Sequence, residues 1–229
     1  MFIPSTGLPA QKGTRTRARI LEAALTLFEK KGYAGTTLRD IAAEADVSLG
    51  LTYRYFRSKE DLVVVVYEGV AERVSKHVAR LPHATIGERF QALFEHKLRL
   101  LAPHRDAFGA LLSAAVDPSS KAAVLGDSSS RVRQAMELAF VEVVAHATDA
   151  PSPDVTQAVA LVLYAAHFAL LLVWVHDETR GARRTRELLG TLRDTIVFVR
   201  PLLGAPGATM AMTRIAGALA PIFWKETST

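Results

Sequence analysis

The chain has 229 residues, and the 49% that are hydrophobic are enough to bury a sizeable core without covalent staples. It contains no cysteine, which excludes a disulfide framework, a cysteine-ligated zinc site and a thiol nucleophile. The net charge of +5 is unevenly distributed, because residues 1–59 hold ten basic and five acidic side chains whereas the other 170 residues hold 18 of each. A basic front joined to a neutral body indicates a module that binds a polyanion.

The first segment, residues 1–13, is expected to form a flexible arm, because it contains Pro4, Gly7, Pro9 and Gly13. It lacks a basic stretch followed by an apolar run of secretory length. We therefore expect no signal peptide and a cytoplasmic location.

Helical periodicity dominates from about residue 15 onward, with no pair of alternating segments joined by a hairpin turn, so the predicted fold class is all-α. A first helix over residues 14–31 is expected to end at Gly32. Thr37 and Asp40 form a predicted capping box that opens a second helix to about residue 45. Ser48 is the predicted N-cap of a third helix that reaches about residue 55.

Longer helices follow this group. Ser58 and Asp61 predict a capping box for a fourth helix to about residue 81, and Thr85 with Glu88 predicts the start of a fifth that stops before Pro103. A sixth helix should break at residues 117–118. The remaining predicted helices span residues 128–147, 154–176 and 182–203, followed by an amphipathic segment interrupted at Gly217 and Pro221.

Three short helices with a tight second connection are typical of a protein that reads the major groove of DNA. Ile41 and Ala42 are placed to face Val47 and Phe56, which would hold the third helix against the first two. The outer face of the third helix would then carry Ser48, Leu49, Gly50, Leu51, Tyr53 and Tyr55.

Two stretches, GYAGTTLRDIA at residues 32–42 and VSLGLTYRYFRSKEDL at residues 47–62, resemble the N-terminal domain of the TetR family of transcription regulators. The resemblance covers residues 15–65 nearly position by position; beyond them the chain matches only in helix count and order. It departs from many relatives at Leu49, where they have a basic or polar residue, and at Asp46, where they have glycine. Asp46 tolerates a left-handed turn, whereas Leu49 and Leu51 can read only thymine methyls or DNA shape.

The resemblance implies DNA-binding roles for individual residues. Thr37 and Lys59 would bind phosphates, Arg39 would reach a base edge, and Tyr53 and Tyr55 would clamp the DNA backbone. The residues implied to face the groove are Ser48, Leu49, Gly50 and Leu51. The two tyrosines are alternatively ordinary half-buried aromatics and Lys59 a solvated lysine. Arg15, Arg17 and Arg19 have two alternatives: they contact phosphates or the minor groove, or they are simply solvated.

The resemblance also implies the organisation of the chain. Residues 14–59 would form the helix-turn-helix domain, and residues 60–229 a larger helical domain for effector binding and dimerisation. The eighth helix is apolar over residues 158–175 except for Tyr164 and His167, which is compatible with burial on both sides or with a membrane span. His167 at mid-span favours burial. The expected homodimer interface consists of Leu170, Leu171, Trp174, Leu189, Leu192, Ile196 and Val199.

A small apolar effector is a further partner that the resemblance implies. Plain core packing is the alternative for every residue of the expected effector site. The candidate residues are Phe90, Phe94, His96, Phe108, Leu112, Phe140 and His167.

The expected function is therefore a sequence-specific regulator, a repressor that its effector releases from double-stranded operator DNA. We expect no cofactor, no metal site and no enzymatic activity, because the seven histidines form no metal-ligand motif and the chain has no phosphate-binding glycine loop or nucleophile elbow. An architectural or activating DNA-binding protein without an effector is the alternative that the sequence leaves open.

Overall fold

The computed structural model describes residues 11–116 and 129–223, so most of the predicted arm lies outside the described residues. Within these ranges the regular structure is entirely helical, which confirms the predicted fold class. The helices are α1 (Gln11–Lys31), α2 (Leu38–Glu44), α3 (Leu49–Tyr55), α4 (Lys59–Val78), α5 (Ile86–Leu101), α6 (Arg105–Val116), α7 (Ser130–Ala145), α8 (Pro153–His176), α9 (Arg183–Val199) and α10 (Pro206–Phe223), with 3-10 turns at Ala102–His104 and Arg200–Gly204.

The predicted caps of the short helices are present. Thr37 Oγ1 accepts a hydrogen bond from the Asp40 amide at 3.2 Å, and the Asp40 carboxylate accepts one from the Thr37 amide at 2.9 Å. Ser48 Oγ accepts from the Leu51 amide at 3.1 Å at the start of α3. Gly32 ends α1 with a φ of +73°, a conformation that glycine adopts without a Cβ clash. These caps satisfy amides and carbonyls that helix ends leave unpaired.

The cap of α4 differs in one detail from the predicted reciprocal box. Ser58 Oγ accepts a hydrogen bond from the Asp61 amide at 3.3 Å, as expected. The Asp61 carboxylate, however, accepts from the Arg57 amide at 2.8 Å. The carboxylate therefore satisfies the amide one residue earlier than a standard capping box would.

The chain divides into two compact units, of which the first comprises Met1–Gly69 and Leu101–Ser129. Its described part contains α1, α2, α3, the start of α4, and α6, and α1 packs against both α2 and α6. The predicted boundary between the two domains, after residue 59, did not place α6 with the N-terminal helices. That boundary stays a prediction. The largest fully buried side chains of this unit are Ile20, Phe28, Ile41, Phe56, Leu62, Leu101 and Leu111.

The second unit comprises Val70–Leu100 and Ser130–Thr229, and α8 is packed between neighbours α7 and α10 within it. A buried guanidinium joins α5 to the end of α7. Arg89 donates to the carbonyls of Val143 at 2.9 Å, Glu142 at 3.1 Å and Pro82 at 2.8 Å. These charged donors satisfy carbonyls that would be costly to bury unpaired.

Helix α5 begins with the predicted Thr85 and Glu88 pair, whose carboxylate accepts from the Thr85 amide at 2.9 Å. One turn of the helix lies unusually close to α9, because a Cβ added at Gly87 would lie 2.7 Å from the Arg193 carbonyl oxygen. Arg193 also donates to the side-chain oxygen of Gln91 at 3.0 Å. Gly87 therefore sets the distance between α5 and α9.

The C-terminal helices differ from the sequence prediction at two points. α9 ends at Val199 rather than near residue 203, because Pro201 lacks an amide hydrogen and the chain tightens into a 3-10 turn. α10 runs without interruption from Pro206 to Phe223. Gly217 is accommodated inside that helix, and Pro221 lies in its last turn. The predicted break at these two residues is wrong.

Helix α8 is also long and apolar enough to cross a membrane, judged by length and composition alone. Half of its most apolar 18-residue window is buried inside the chain. Tyr164 and His167, the polar residues of this stretch, are both buried, which agrees with a core helix that packs on α7 and α10.

Candidate nucleic-acid interface and internal cavity

The turn between α2 and α3 is held by an arginine from α1. The Arg19 guanidinium donates to the carbonyls of Ala45 and Asp46, with a distance of 3.1 Å to the second, and lies 3.5 Å from the Asp46 carboxylate. Asp46 has a φ of 50°, the left-handed conformation that we expected at this position. Sequence reasoning missed the role of Arg19 because its partners lie 26 and 27 residues away.

Two buried side chains fix α3 to the helices beneath it. Thr52 and Phe56 are both almost fully buried, and the Thr52 hydroxyl donates to the Ser48 carbonyl at 3.2 Å. The Arg17 guanidinium lies 5.3 Å from the centre of the Phe56 ring, a cation-π distance. The other face of α3 carries the exposed Ser48, Gly50 and Tyr53 and the half-buried Leu49, Leu51 and Tyr55. α3 thus presents the set of residues that the sequence predicted for a groove-facing helix.

Three predicted contact residues have polar groups available at the surface. The Tyr53 side chain is 51% exposed, and its hydroxyl has no hydrogen-bond partner among the described residues. The Tyr55 hydroxyl lies beside the start of α1, since a Cβ added at Gly13 would lie 3.3 Å from it. Arg39 is exposed and forms no ion pair within the described ranges. Their contacts with DNA stay predictions that this geometry allows.

Thr37 has a different environment from these three. Its hydroxyl donates to the Asp40 carboxylate at 2.6 Å, and its amide donates to the same carboxylate. These hydrogen bonds lower the pKa of Asp40, with the Thr37 hydroxyl contributing most. Both donors of Thr37 are therefore used in capping α2, and a phosphate would have to displace the carboxylate from one of them.

The ammonium group of Lys59 contacts the loop between α1 and α2. Its Nζ donates to the Tyr33 carbonyl at 2.7 Å and to the Thr36 carbonyl at 3.0 Å, and lies 4.2 Å from the centre of the Tyr33 ring. The Tyr33 hydroxyl donates in turn to Glu60 at 3.0 Å; burial, followed by this contact with the carboxylate, raises the pKa of Tyr33. The expected phosphate contact of Lys59 stays a prediction; in the described structure its charge stabilises the loop between α1 and α2.

Two further arginines near α3 were not singled out by the sequence analysis. Arg54 and Arg57 are exposed, and neither guanidinium forms an ion pair in the part of the chain that the structure describes. They carry part of the positive charge that residues 1–59 hold in excess. In the sequence, only the excess of basic residues in this segment pointed to these two arginines. The helix-turn-helix motif did not.

An internal cavity lies in the second unit, between α4, α5, α7 and α8. The empty space there is about 230 Å³ when the open solvent at its edge is included, and the side chains divide it too finely to admit a water molecule. The lining residues are Val74, Phe90, Leu93, Phe94, Lys97, Met136, Phe140 and His167. The structure therefore brings together Phe90, Phe94, Phe140 and His167 of the predicted effector site.

A lysine that the sequence analysis did not identify belongs to this cavity. Lys97 is buried, and its Nζ lies 2.6 Å from His167 Nε2. Burial lowers the pKa of Lys97 to about 7 and, with help from the Lys97 charge, lowers the pKa of His167 well below its usual range. His167 Nδ1 has no hydrogen-bond partner of ordinary geometry among the described residues.

The other three predicted effector residues lie elsewhere. His96 stacks on His77 with ring centres 3.7 Å apart, and burial lowers the pKa of both rings. Phe108 and Leu112 are buried in the first unit, on α6. These three do not line the cavity, because helical periodicity shows that a residue is buried but not which core it enters, and their effector role stays a prediction. In the described ranges no group of three or more His, Asp or Glu side chains could hold a metal ion.

The predicted dimer residues are mostly covered by their own chain. Leu170, Leu171, Trp174 and Leu189 are buried in it, Leu192 and Ile196 are half-buried, and Val199 is 36% exposed. The first four are corrected, because the most apolar stripe of α8 and α9 faces the core of the same chain. The exposed apolar side chains of these two helices are instead Leu172, Val173, Leu188, Val197, Phe198 and Val199.

These features together define a class of protein: an all-helical chain with an N-terminal helix-turn-helix built to bind DNA. The family model of bacterial regulatory proteins of the tetR family matches residues 20–66. The transcriptional repressor KstR of Rhodococcus jostii (strain RHA1) is 31% identical over 164 residues, which cover 69% of this chain and 72% of KstR. The chain belongs to the TetR family and is a helix-turn-helix transcriptional regulator.

Two other similarities differ in extent. The transcriptional regulator HbdR of Aromatoleum sp. (strain CIB) is 39% identical over 64 residues, and the match covers only 28% of either chain. The solved structure of Salmonella enterica GusR aligns with a TM-score of 0.65 at 20% identity, covering 86% of this chain and all of GusR. At that identity the second similarity shows the fold alone.

Lys59→Gln should lower the free energy of unfolding by about 1–3 kcal/mol, because two loop carbonyls lose a charged donor. It should change the salt dependence of operator binding by much less than the one unit of slope expected for a lost phosphate contact. Urea unfolding and salt-dependent binding measure the two effects. Lys30→Gln removes the same charge at an exposed site and should change stability by less than about 0.5 kcal/mol. If the salt dependence of operator binding loses a full unit of slope while stability is unchanged, Lys59 is a phosphate ligand.

Lys97→Met should raise the free energy of unfolding at pH 7 by about 1–4 kcal/mol, because it replaces a buried cation by an apolar chain of similar size. The folded-state pKa of about 7 lies below that of an unfolded lysine, so the unfolded wild type binds more protons between pH 7 and 10. The stability of the wild type should therefore rise over that range, and the advantage of the variant should shrink. Urea unfolding at pH 6, 7 and 9 measures the free energy of unfolding of the wild type and the variant. Lys76→Met, at an exposed lysine, is the control. A difference independent of pH would contradict it.

Proposed function

We propose that this regulator binds a two-fold symmetric operator as a homodimer in the cytoplasm, represses transcription from it, and is released by a small effector. The observation that carries the DNA-binding part is α3 itself. Buried Thr52 and Phe56 anchor the helix, while Ser48, Gly50 and Tyr53 are exposed on its surface. A short anchored helix with small and polar exposed residues fits a major groove.

The proposed contacts divide into backbone and base contacts. Tyr53 and Tyr55 are proposed to donate to phosphates, with Arg54 and Arg57 adding positive charge beside them. Arg39 is proposed to reach a base edge from α2. Ser48, Leu49, Gly50 and Leu51 are proposed to face the groove; the two leucines support recognition of thymine methyls and of local DNA shape.

Tyr53→Phe should weaken operator binding by about 1 kcal/mol, nearly equally for all sequences, because one phosphate hydrogen bond is lost. The operator is obtained by selecting genomic fragments with the purified protein and footprinting the product, and affinity is then measured at fixed salt. The exposed hydroxyl has no partner in the described part of the chain, so stability should not change.

Tyr67→Phe is the matched control for this experiment. The Tyr67 hydroxyl is buried and donates to the Leu111 carbonyl at 3.0 Å, so its removal should cost about 1 kcal/mol of stability. The operator affinity of the folded variant should stay at the wild-type value. Equal effects of the two substitutions on affinity would contradict the role given to Tyr53.

Dimerisation is proposed through the exposed apolar side chains of α8 and α9. Phe198 is 78% exposed, and Leu172, Val173, Leu188 and Val197 are each 38–43% exposed. Apolar side chains exposed on this scale along two helices support an interface with a second copy, since they would otherwise remain in water. A two-fold dimer presents two α3 helices to half-sites one turn of DNA, or a multiple of it, apart.

Phe198→Glu should shift the protein from dimer to monomer at micromolar concentration, because an interface cannot bury an unpaired carboxylate cheaply. Analytical ultracentrifugation measures the mass. Leu138→Glu places the same charge on α7, at a side chain that is 61% exposed, and should remain dimeric. A dimer that survives Phe198→Glu with unchanged affinity would place the interface elsewhere.

Effector release is proposed to depend on the cavity between α4, α5, α7 and α8. A ligand that fits only a rearranged cavity selects a conformation in which the two α3 helices no longer match the half-site separation. DNA binding, rather than catalysis, is the proposed activity of the chain. Transcription assays with the operator at different distances from a promoter distinguish repression from activation.

A further inference from the structure

Lys97 is a buried amine that is cationic below its pKa of about 7 and has no buried anion beside it. No carboxylate in the described ranges lies within ion-pair distance of its Nζ, and burial alone accounts for the lowered pKa. The ammonium group has three hydrogens to donate, and His167 Nε2 accepts one of them at 2.6 Å. The remaining donor capacity of Lys97 has no acceptor among the described residues. An unpaired buried charge destabilises a fold, so an apolar residue would serve better if packing were its only role.

The histidine beside it is also incompletely satisfied. When Nε2 accepts from Lys97, the ring proton of neutral His167 resides on Nδ1. Nδ1 is buried; burial lowers the pKa of the ring, the Tyr164 carbonyl partly offsets this through a hydrogen bond too distorted to have ordinary geometry, and the described part of the chain offers no better partner. Lys97 and His167 thus form a polar pair whose hydrogen-bonding capacity exceeds what the surrounding protein uses.

The walls around this pair are apolar. Phe94 and Phe140 pack against the His167 ring at 5.9 and 5.3 Å between ring centres. The other apolar lining residues are Val74, Phe90, Leu93 and Met136. A ligand of this cavity therefore combines a large apolar body with one group that satisfies Lys97.

We propose that the cavity binds an apolar carboxylic acid, whose carboxylate accepts hydrogen bonds from Lys97 and whose hydrocarbon body lies against Phe90, Phe94, Phe140 and Met136. One negative charge matches the single buried cation, and two carboxylate oxygens match the unused donors of Lys97. An alcohol or ketone leaves the charge unneutralised, and a dianionic phosphate brings more charge than one lysine balances.

The cavity must open to admit this ligand, because it is too finely divided even for water. Met136 is the lining residue best suited to move, since its unbranched side chain has three rotatable bonds. The ligand thereby stabilises a conformation with separated side chains. This inference rests on the proposed function only in identifying the ligand as the effector; binding of the acid itself does not depend on DNA.

Isothermal titration calorimetry on the full-length protein without DNA tests the proposal. The probes are octanoate and 4-phenylbutyrate, with 1-octanol as the neutral match for octanoate. At pH 8 the acids are ionised while Lys97, with a pKa of about 7, is mostly neutral. Binding of a carboxylate should therefore be accompanied by net proton uptake, measured from the heats in two buffers of different ionisation enthalpy. 1-Octanol should bind at least tenfold more weakly at pH 7 and take up no proton.

The Lys97→Met variant separates this role from general packing. It removes the charge while preserving an apolar volume, so it remains folded by circular dichroism and should bind octanoate at least tenfold more weakly with no proton uptake. 1-Octanol should bind it as well as the wild type or better. Lys76→Met, at an exposed lysine of α4, should retain the wild-type affinity and proton uptake.

Two results would overturn the proposal: equal affinity for acid and alcohol in the wild type, or unchanged octanoate binding and proton uptake in Lys97→Met. Failure of the protein to select an operator would contradict the proposed function and leave these titrations intact. Operator binding by a protein that binds neither acid would contradict the proposed ligand alone. Binding of the acid without loss of operator affinity would support the site and remove its role in release.

Discussion

The hydrogen bonds from Arg19 to the turn between α2 and α3 are the constraint on which the DNA-binding surface depends. They hold Asp46 in a left-handed conformation that carries some strain for any residue other than glycine. With the turn fixed, burial of Thr52 and Phe56 determines which face of α3 points outward. A seven-residue helix is too short to be stable alone, so its orientation comes entirely from these contacts.

The sequence predicted local features well and long-range contacts poorly. The caps at Thr37 and Ser48 and the left-handed Asp46 were predictable, because each depends on residues within a few positions. The structural use of Lys59 was not, since its partners at Tyr33 and Thr36 lie 26 and 23 residues away. A position in a family motif predicts that a residue has a role. It does not distinguish a residue that contacts DNA from one that stabilises the neighbouring loop.

The same limit explains the results for the second unit. The sequence predicted that α8, apolar all round, is buried on both sides; Leu170 and Trp174 are buried in their own chain, whereas Leu172 and Val173 are exposed. Neighbouring positions on a helix point in different directions, so a stripe cannot by itself be assigned to a core or to a partner. The burial of Lys97 was not predicted, because a lysine within a helix normally lies in water. Only the packing of four helices around it shows that it is enclosed.

The close approach at Gly87 has a mechanical consequence. A side chain at position 87 would meet the Arg193 carbonyl, and the Arg193 side chain donates to Gln91, so α5 and α9 are held together at this one turn. α5 carries Lys97 and α9 carries Phe198, so this one contact joins a helix that lines the cavity to a helix with exposed apolar side chains. A larger residue at position 87 would force the two helices apart at this turn.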